Sequence, residues 1–364
     1  MKRSDLPTPA LILDLPAMRR NIERMASHAA SVGVGLRPHA KSHKSVEIAR
    51  MLVEAGALGA CCATIREAEA MAQADIPGIL VTSPLTTPDM LARLVRLLRH
   101  GADVAVVADH PANVALLADV TAGLGGVTLP VVIELDAGSG RTGCASPESA
   151  LELAQQVAGL PSLRFAGIQC YWGQHQQVMP LEERVRRVAE GKAGLRSLLD
   201  GLAAAGLPAG RVTRGGTGTS FVDPKGGPFT ELQVGSFLFL DSCYGSVPLN
   251  EGGNPFERAL FVRASVVSAS HPGRVTINAG LKAFATDSGM PIPVRGAPEG
   301  STYRFMGDEH GAVEFAPELA GPALGSAIEL LTSHCDPTVN LYDRYAVVEG
   351  EEVVHEWPIA RGFV

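Results

Sequence analysis

From residue 16 to about residue 245 the chain alternates a short apolar run with a helical pattern, eight times over, and this alternation limits the fold more than any other feature. The runs are VGLRPHA, LGACCAT, GILVTS, ADVAVVAD, LPVVIELD, LRFAGIQCYW, RVTRGG and LQVGSFLFL. They are apolar without a polar face, as strands covered on both sides are. The stretches between them keep helical spacing. PAMRRNIERMASHAASVG places Met18, Ile22, Met25 and Ala29 on one face, with Asp14 ahead of it as a cap and Pro16 suited to the first turn. TPDMLARLVRLLRHG starts the same way, with Thr87 and Pro88. Strands that alternate with helices pair in parallel through crossovers, and eight such units have the length of a closed (β/α)8 barrel of the TIM type. An open doubly wound sheet is the alternative. The α/β barrel is assigned to residues 16–250.

Beyond about residue 255 helical periodicity disappears. ALFVRASVVSAS, GRVTINAG, ALGSAIELLT, RYAVVEG and EEVVHEWPIA read as strands joined by Gly/Pro turns. The opening TPALILDL is strand-like too. Residues 1–15 and 251–364 are therefore expected to form one β-rich domain.

A hydrophobic content of 46% is ample for a large core, and a net charge of −7 with no block of like charge argues against nucleic acid or an anionic membrane as main partner. Six cysteines show no CxxC or zinc-finger spacing. Cys61 and Cys62, adjacent on a strand, point to opposite faces, so the set reads as reduced thiols in a cytoplasmic protein. The N-terminal apolar run has the wrong length and flanks for a signal peptide, and no run approaches membrane-spanning length.

In such a barrel the active site forms at the C-terminal ends of the strands, and unusual residues fall there. Lys41, in RPHAKSHKS, ends the first strand. Desolvation, with His39, His43 and Lys44 as cationic neighbours, would lower its pKa and free an amine for a Schiff base; a solvated basic turn is the plain alternative. RGGTGTS, residues 214–220, ends the seventh strand, and its amides with the Thr217 and Thr219 hydroxyls suit a phosphate. Gly235 and Ser236 lie near the eighth strand, beside it in a closed barrel. Arg141, in ELDAGSGRTG, follows the fifth strand and Tyr171 the sixth. A lysine, an arginine, a tyrosine and a phosphate cradle on one rim suit a phosphate-bearing aromatic aldehyde, pyridoxal phosphate. In SHCDPTVNLYD, His334 and Asp336 are two apart, so on a strand they would share a face and chelate Mn2+, Zn2+ or Mg2+. GDEHG, residues 307–311, is a further polar cluster without an assigned role.

RPHAKSHKS, ELDAGSGRTG, GGTGTS, ELQVGSF, NAGLKA, DEHG and SHCDPTVNLYD, in this order, resemble the D-threonine aldolase group of pyridoxal-phosphate enzymes, which share the alanine racemase-type fold with D-serine and D-hydroxyaspartate dehydratases. The resemblance implies Lys41 as Schiff-base lysine, and Arg141, Tyr171, Gly218, Thr219, Gly235 and Ser236 as cofactor contacts. His334 and Asp336 would be the metal ligands, with Mn2+ as first choice. Dehydratases tend to carry cysteine where this chain has Asp336, which favours the aldolase. It also implies a homodimer whose sites form between one barrel and the partner's β domain. Two positions depart: Ala63 replaces a cofactor-contacting glutamine, and Gln177 stands where some relatives have histidine. His175, two residues earlier, is then the candidate base, with a metal-bound water as the alternative. The implied reaction is cleavage of a D-β-hydroxy-α-amino acid to glycine and an aldehyde. The alternatives are a dehydratase, or a non-enzymatic cofactor-binding protein, against which the β domain and the His334/Asp336 pair argue.

Overall fold

The computed structural model describes residues 1–361. Eight strands form one sheet: β2 (Gly35–Leu36), β3 (Cys61–Cys62), β4 (Ile79–Val81), β5 (Val104–Ala108), β6 (Leu129–Leu135), β7 (Leu163–Cys170), β8 (Val212–Arg214) and β9 (Glu231–Leu232). All neighbours are parallel, in the order β2-β9-β8-β7-β6-β5-β4-β3. The ring closes just past β2, where Cys61 N donates to Pro38 O at 2.9 Å and His39 bridges Cys61 in parallel. This is the expected (β/α)8 barrel. The helices are α1 (Leu15–Ser31), α2 (Val46–Glu54), α3 (Ile65–Gln73), α4 (Pro88–Arg99), α5 (Pro111–Ala122), α6 (Pro147–Ala158), α7 (Leu181–Ala204) and the short α8 (Ser242–Gly245). Met18, Ile22, Met25 and Ala29 are buried along α1, and Asp14 caps it by accepting from Ala17 N at 3.0 Å. Cys61 joins Leu80, Ala105, Val107 and Val132 inside the barrel, whereas Cys62 packs with Ile65 and Ala68 in the layer beneath the helices. All six thiols are unpaired.

The eighth run is not one strand. β9 ends at Leu232, and Ser236–Leu238 form a 3-10 turn that buries Phe237, Leu238 and Phe239 completely. A short apolar run reads alike whether it is a covered strand or a covered turn.

The second sheet has nine strands. β1 (Ala10–Asp14) lies between β10 (Leu260–His271), antiparallel, and β16 (Arg344–Glu349), parallel. The N-terminal strand thus joins the C-terminal half. Around these run β11 (Arg274–Ile277), β12 (Ile292–Arg295), β13 (Thr302–Phe305), β14 (Gly311–Glu314), β15 (Ala327–Leu331) and β17 (Glu352–Pro358). A single helical turn, α9 (Cys335–Val339), interrupts the sheet between β15 and β16. Among the described residues no helix is long and apolar enough to cross a membrane.

Candidate active site

Lys41 follows β2 in a 3-10 turn, Ala40–Ser42, at the C-terminal end of the barrel. The turn is pinned by His39 N donating to Val234 O at 2.9 Å and Ser42 Oγ to His39 O at 3.0 Å. The lysine side chain stands half-open in the mouth, and its Nζ donates to Asp336 Oδ2 across the gap to the β-rich half. Crowding in sequence predicts a lysine depressed by cations; the fold reverses both parts. Burial works against the Lys41 charge, but the Asp336 carboxylate outweighs it and holds the pKa above 10.5. Burial likewise opposes the Asp336 charge, and Lys41 outweighs it, keeping that carboxyl below 3.8. His39 and His43 are enclosed in the barrel wall, and burial pushes them down to about 3 and about 4, so they are neutral at pH 7. Lys44 turns away to Glu67 at 3.2 Å.

Lys41 borders a cavity of about 260 Å3 whose wall includes His39, Arg141, Tyr171, Gly215, Gly216, Thr217, Gly235 and Ser236. A belt of polar side chains runs through its floor. His39 Nε2 meets Thr82 Oγ1 at 3.2 Å, Gln169 Nε2 donates to Thr82 O at 3.2 Å, and Gln233 Nε2 donates to Gln169 Oε1 and Thr213 Oγ1, both at 3.0 Å. These residues sit at or near the ends of β2, β4, β7, β8 and β9, and mutual hydrogen bonds satisfy groups that burial would otherwise penalise. The belt carries no motif, so sequence reading passes over it. Arg141 lies over the Tyr171 ring at 5.2 Å, a cation–π approach that sets both on one rim, and Tyr244 lines the same wall. Ala63 also lines it, with no side-chain amide to offer.

The glycine loop enters the wall by residues 215–217. Gly215, at φ +104°, turns the chain as a side chain would resist, and a Cβ on Gly216 would fall 2.5 Å from Gln176 Oε1. Gly218 and Thr219 lie behind. A Cβ on Gly218 would overlap Gln176 O at 1.7 Å, and the Thr219 hydroxyl donates to Asp223 Oδ2 at 2.6 Å. Asp223 in turn pairs with the fully buried Arg214 at 2.6 Å. The expected Thr219 hydroxyl is thus spent on the support of the loop; so is Thr217 Oγ1, which accepts from Phe237 N at 2.9 Å.

His175 is not brought to this cavity. Its ring lies parallel to Trp172 at 6.4 Å, with Arg187 and Glu190 of α7 as its nearest charges besides Arg214. The 3-10 turn Gly173–His175 carries it behind Trp172, a change of direction that position in a loop does not reveal.

His334 and Asp336 do not share a strand. β15 has ended, His334 is extended (φ −138°, ψ 122°), and α9 begins at Cys335, with Pro337 tolerated in its first turn. His334 Nδ1 meets Asp287 Oδ2 at 2.6 Å. Asp241, just past the eighth barrel unit and missed in sequence, fixes this turn. Fully buried, it accepts from Cys335 N at 2.7 Å and from Tyr244 N at 2.9 Å. Among the described residues no cluster of three His, Cys, Asp or Glu side chains forms a metal cage.

Residues 13–243 match the model of the alanine racemase N-terminal domain, and residues 259–348 that of the putative serine dehydratase domain. Fold and site thus define an enzyme of the alanine racemase type, a class that works with pyridoxal phosphate. The chain is 38% identical over 359 residues to a D-threonine aldolase of Arthrobacter sp., spanning 98% of this chain and 93% of that protein. It is also 38% identical over 368 residues to a 3-hydroxy-D-aspartate aldolase of Paracoccus denitrificans, spanning 100% and 94%. The D-threonine aldolase structure from Filomicrobium marinum superposes with a TM-score of 0.95 at 36% identity, covering 99% of this chain and 97% of that one. The chain belongs to the D-threonine aldolase family, lyases on the alanine racemase fold.

The donor set fits pyridoxal phosphate, and toward a divalent cation it offers two side chains. For pyridoxal phosphate there is one amine in the cavity, and two glycine-bearing turns line the same wall, the Gly235 turn packed against the turn that carries the lysine. For a divalent cation there is a carboxylate, Asp336, and an imidazole whose second nitrogen is not taken by Asp287.

Proposed function

We propose that this protein, a cytoplasmic homodimer, cleaves the Cα–Cβ bond of D-β-hydroxy-α-amino acids, D-threonine giving glycine and acetaldehyde. It would use pyridoxal phosphate and a divalent metal, Mn2+ before Mg2+ or Zn2+. The observation that carries the reading is the contact of Lys41 Nζ with Asp336, which joins the amine of the barrel mouth to the metal-type turn of the β-rich half. Exposed Leu281, Met290, Ile292 and Val294 on that half support a partner surface.

Lys41 is the covalent anchor of the cofactor. Gly215, Gly216, Thr217, Gly235 and Ser236 receive its phosphate by backbone and by the Ser236 hydroxyl, while Gly218 and Thr219 support the loop. Arg141 and Tyr171, set together on the rim, would flank its ring. Pyridoxal phosphate held there would supply an electron sink for the pair left as Cα–Cβ breaks. His334 and Asp336 would hold the cation, which would supply Lewis acidity toward the β-hydroxyl. Lys41 Nζ, released during turnover at the mouth of the cavity, would hold the proton that Cα takes up to give glycine.

A dehydratase on the same scaffold is the second reading. Asp336 and the lower identity to the D-threo-3-hydroxyaspartate dehydratase of Delftia sp. (28%, spanning 98% of both chains) favour the aldolase. Metal-loaded enzyme given D-threonine should release glycine and acetaldehyde; a 2-oxo acid and ammonia alone would overturn the assignment. Chelation should stop turnover and leave the cofactor's colour.

A further inference from the structure

Asp287 lies in the loop after Phe284 and Ala285, far in sequence from the His-Cys-Asp turn, yet three hydrogen bonds tie the two segments together. Ser333 Oγ donates to Ala285 O at 2.9 Å, Ala285 N to Thr338 Oγ1 at 3.1 Å, and the Tyr342 hydroxyl to Ala283 O at 3.0 Å. Thr338 Oγ1 also donates back to His334 O at 2.7 Å, so one threonine holds both segments. The carboxylate that results meets His334 Nδ1 at 2.6 Å. We propose that Asp287 is a positioning residue that fixes His334 in the Nδ1–H tautomer and so reserves Nε2 as the metal-binding nitrogen. This rests on the metal reading of the site.

An imidazole offers a metal one lone pair only when its other nitrogen carries the proton, and a carboxylate on that proton orients the ring and raises its basicity. Asp287 is not a ligand in this scheme, in keeping with the lack of a three-donor cluster among the described residues. A plain exposed ion pair would have no such bearing on the ring, and that difference is measurable.

The experiment uses protein reconstituted with pyridoxal phosphate, whose visible absorbance reports an intact fold. Mn2+ binding is titrated by electron paramagnetic resonance for wild type, Asp287→Ala, Asp287→Asn and His334→Ala, and the His334 tautomer is read by 15N NMR without metal. Wild type should show the Nδ1–H tautomer. Asp287→Ala should lose that preference and bind Mn2+ roughly 10–100-fold more weakly, with Asp287→Asn in between. Wild-type affinity and tautomer in both Asp287 variants would overturn the proposal. Mn2+ binding unaffected by His334→Ala would instead bring down the metal reading and this role with it.

Discussion

Lys41 keeps its proton because Asp336 is beside it, and the two histidines that flank it in sequence have none to share. A one-dimensional string of basic letters gives no sign of which will be enclosed, and enclosure decides the charge. Two predictions belong here. Lys41→Ala should abolish the bound cofactor's visible absorbance, and an unchanged spectrum would remove Lys41 from its role. The second concerns acid. In the unfolded chain His39 and His43 take up protons near pH 6.5, whereas in the fold they do so only near 3 and 4. Unfolding therefore binds protons throughout that interval, and stability present above pH 6.5 is lost as the pH falls toward 4, by about 1 kcal/mol per pH unit for each imidazole. Denaturant midpoints across this range should show the slope, and His39→Gln should flatten it.

At the scale of elements, the strands and helices of the barrel were legible because each obeys one period and one covering rule. The order of strands also placed Lys41, Arg141, Tyr171, Gly235 and Ser236 on one rim, and in the structure all five line one cavity. The course of the short turns was not legible. His175, Thr219 and the His334/Asp336 pair each sit in a turn held by a particular partner, Trp172 and Asp223 close by in the chain and Asp241 far from the pair it fixes. Periodicity carries no information about such partners. The glycine loop gives the test. In Gly218→Ala the new methyl meets Gln176 O, so the loop must move away. Overpacking of this kind costs about 1–3 kcal/mol. A lower melting temperature and weaker pyridoxal phosphate binding are expected by thermal and absorbance titration; wild-type values in both would show that the loop has room.

At the scale of the molecule, the chain starts in one half and builds the other. β1 is fully covered at Leu11, Ile12 and Leu13 and sits between β10 and β16, so the last third of the sequence needs the first fifteen residues to complete its sheet. This was readable from TPALILDL standing ahead of the first helix; β12, β13 and β14, four residues each and the first two partly exposed, were not. The salt link from Lys41 to Asp336 spans these halves. Its consequence is an order of loading. While the ammonium occupies Asp336, a cation must compete for that oxygen; once the nitrogen is engaged by the vitamin, the competition ends. Vitamin and metal should then tighten each other's hold by one common factor, on the order of 5–150-fold. Equal Mn2+ affinity with and without pyridoxal phosphate would show that the bridge imposes no sequence on assembly.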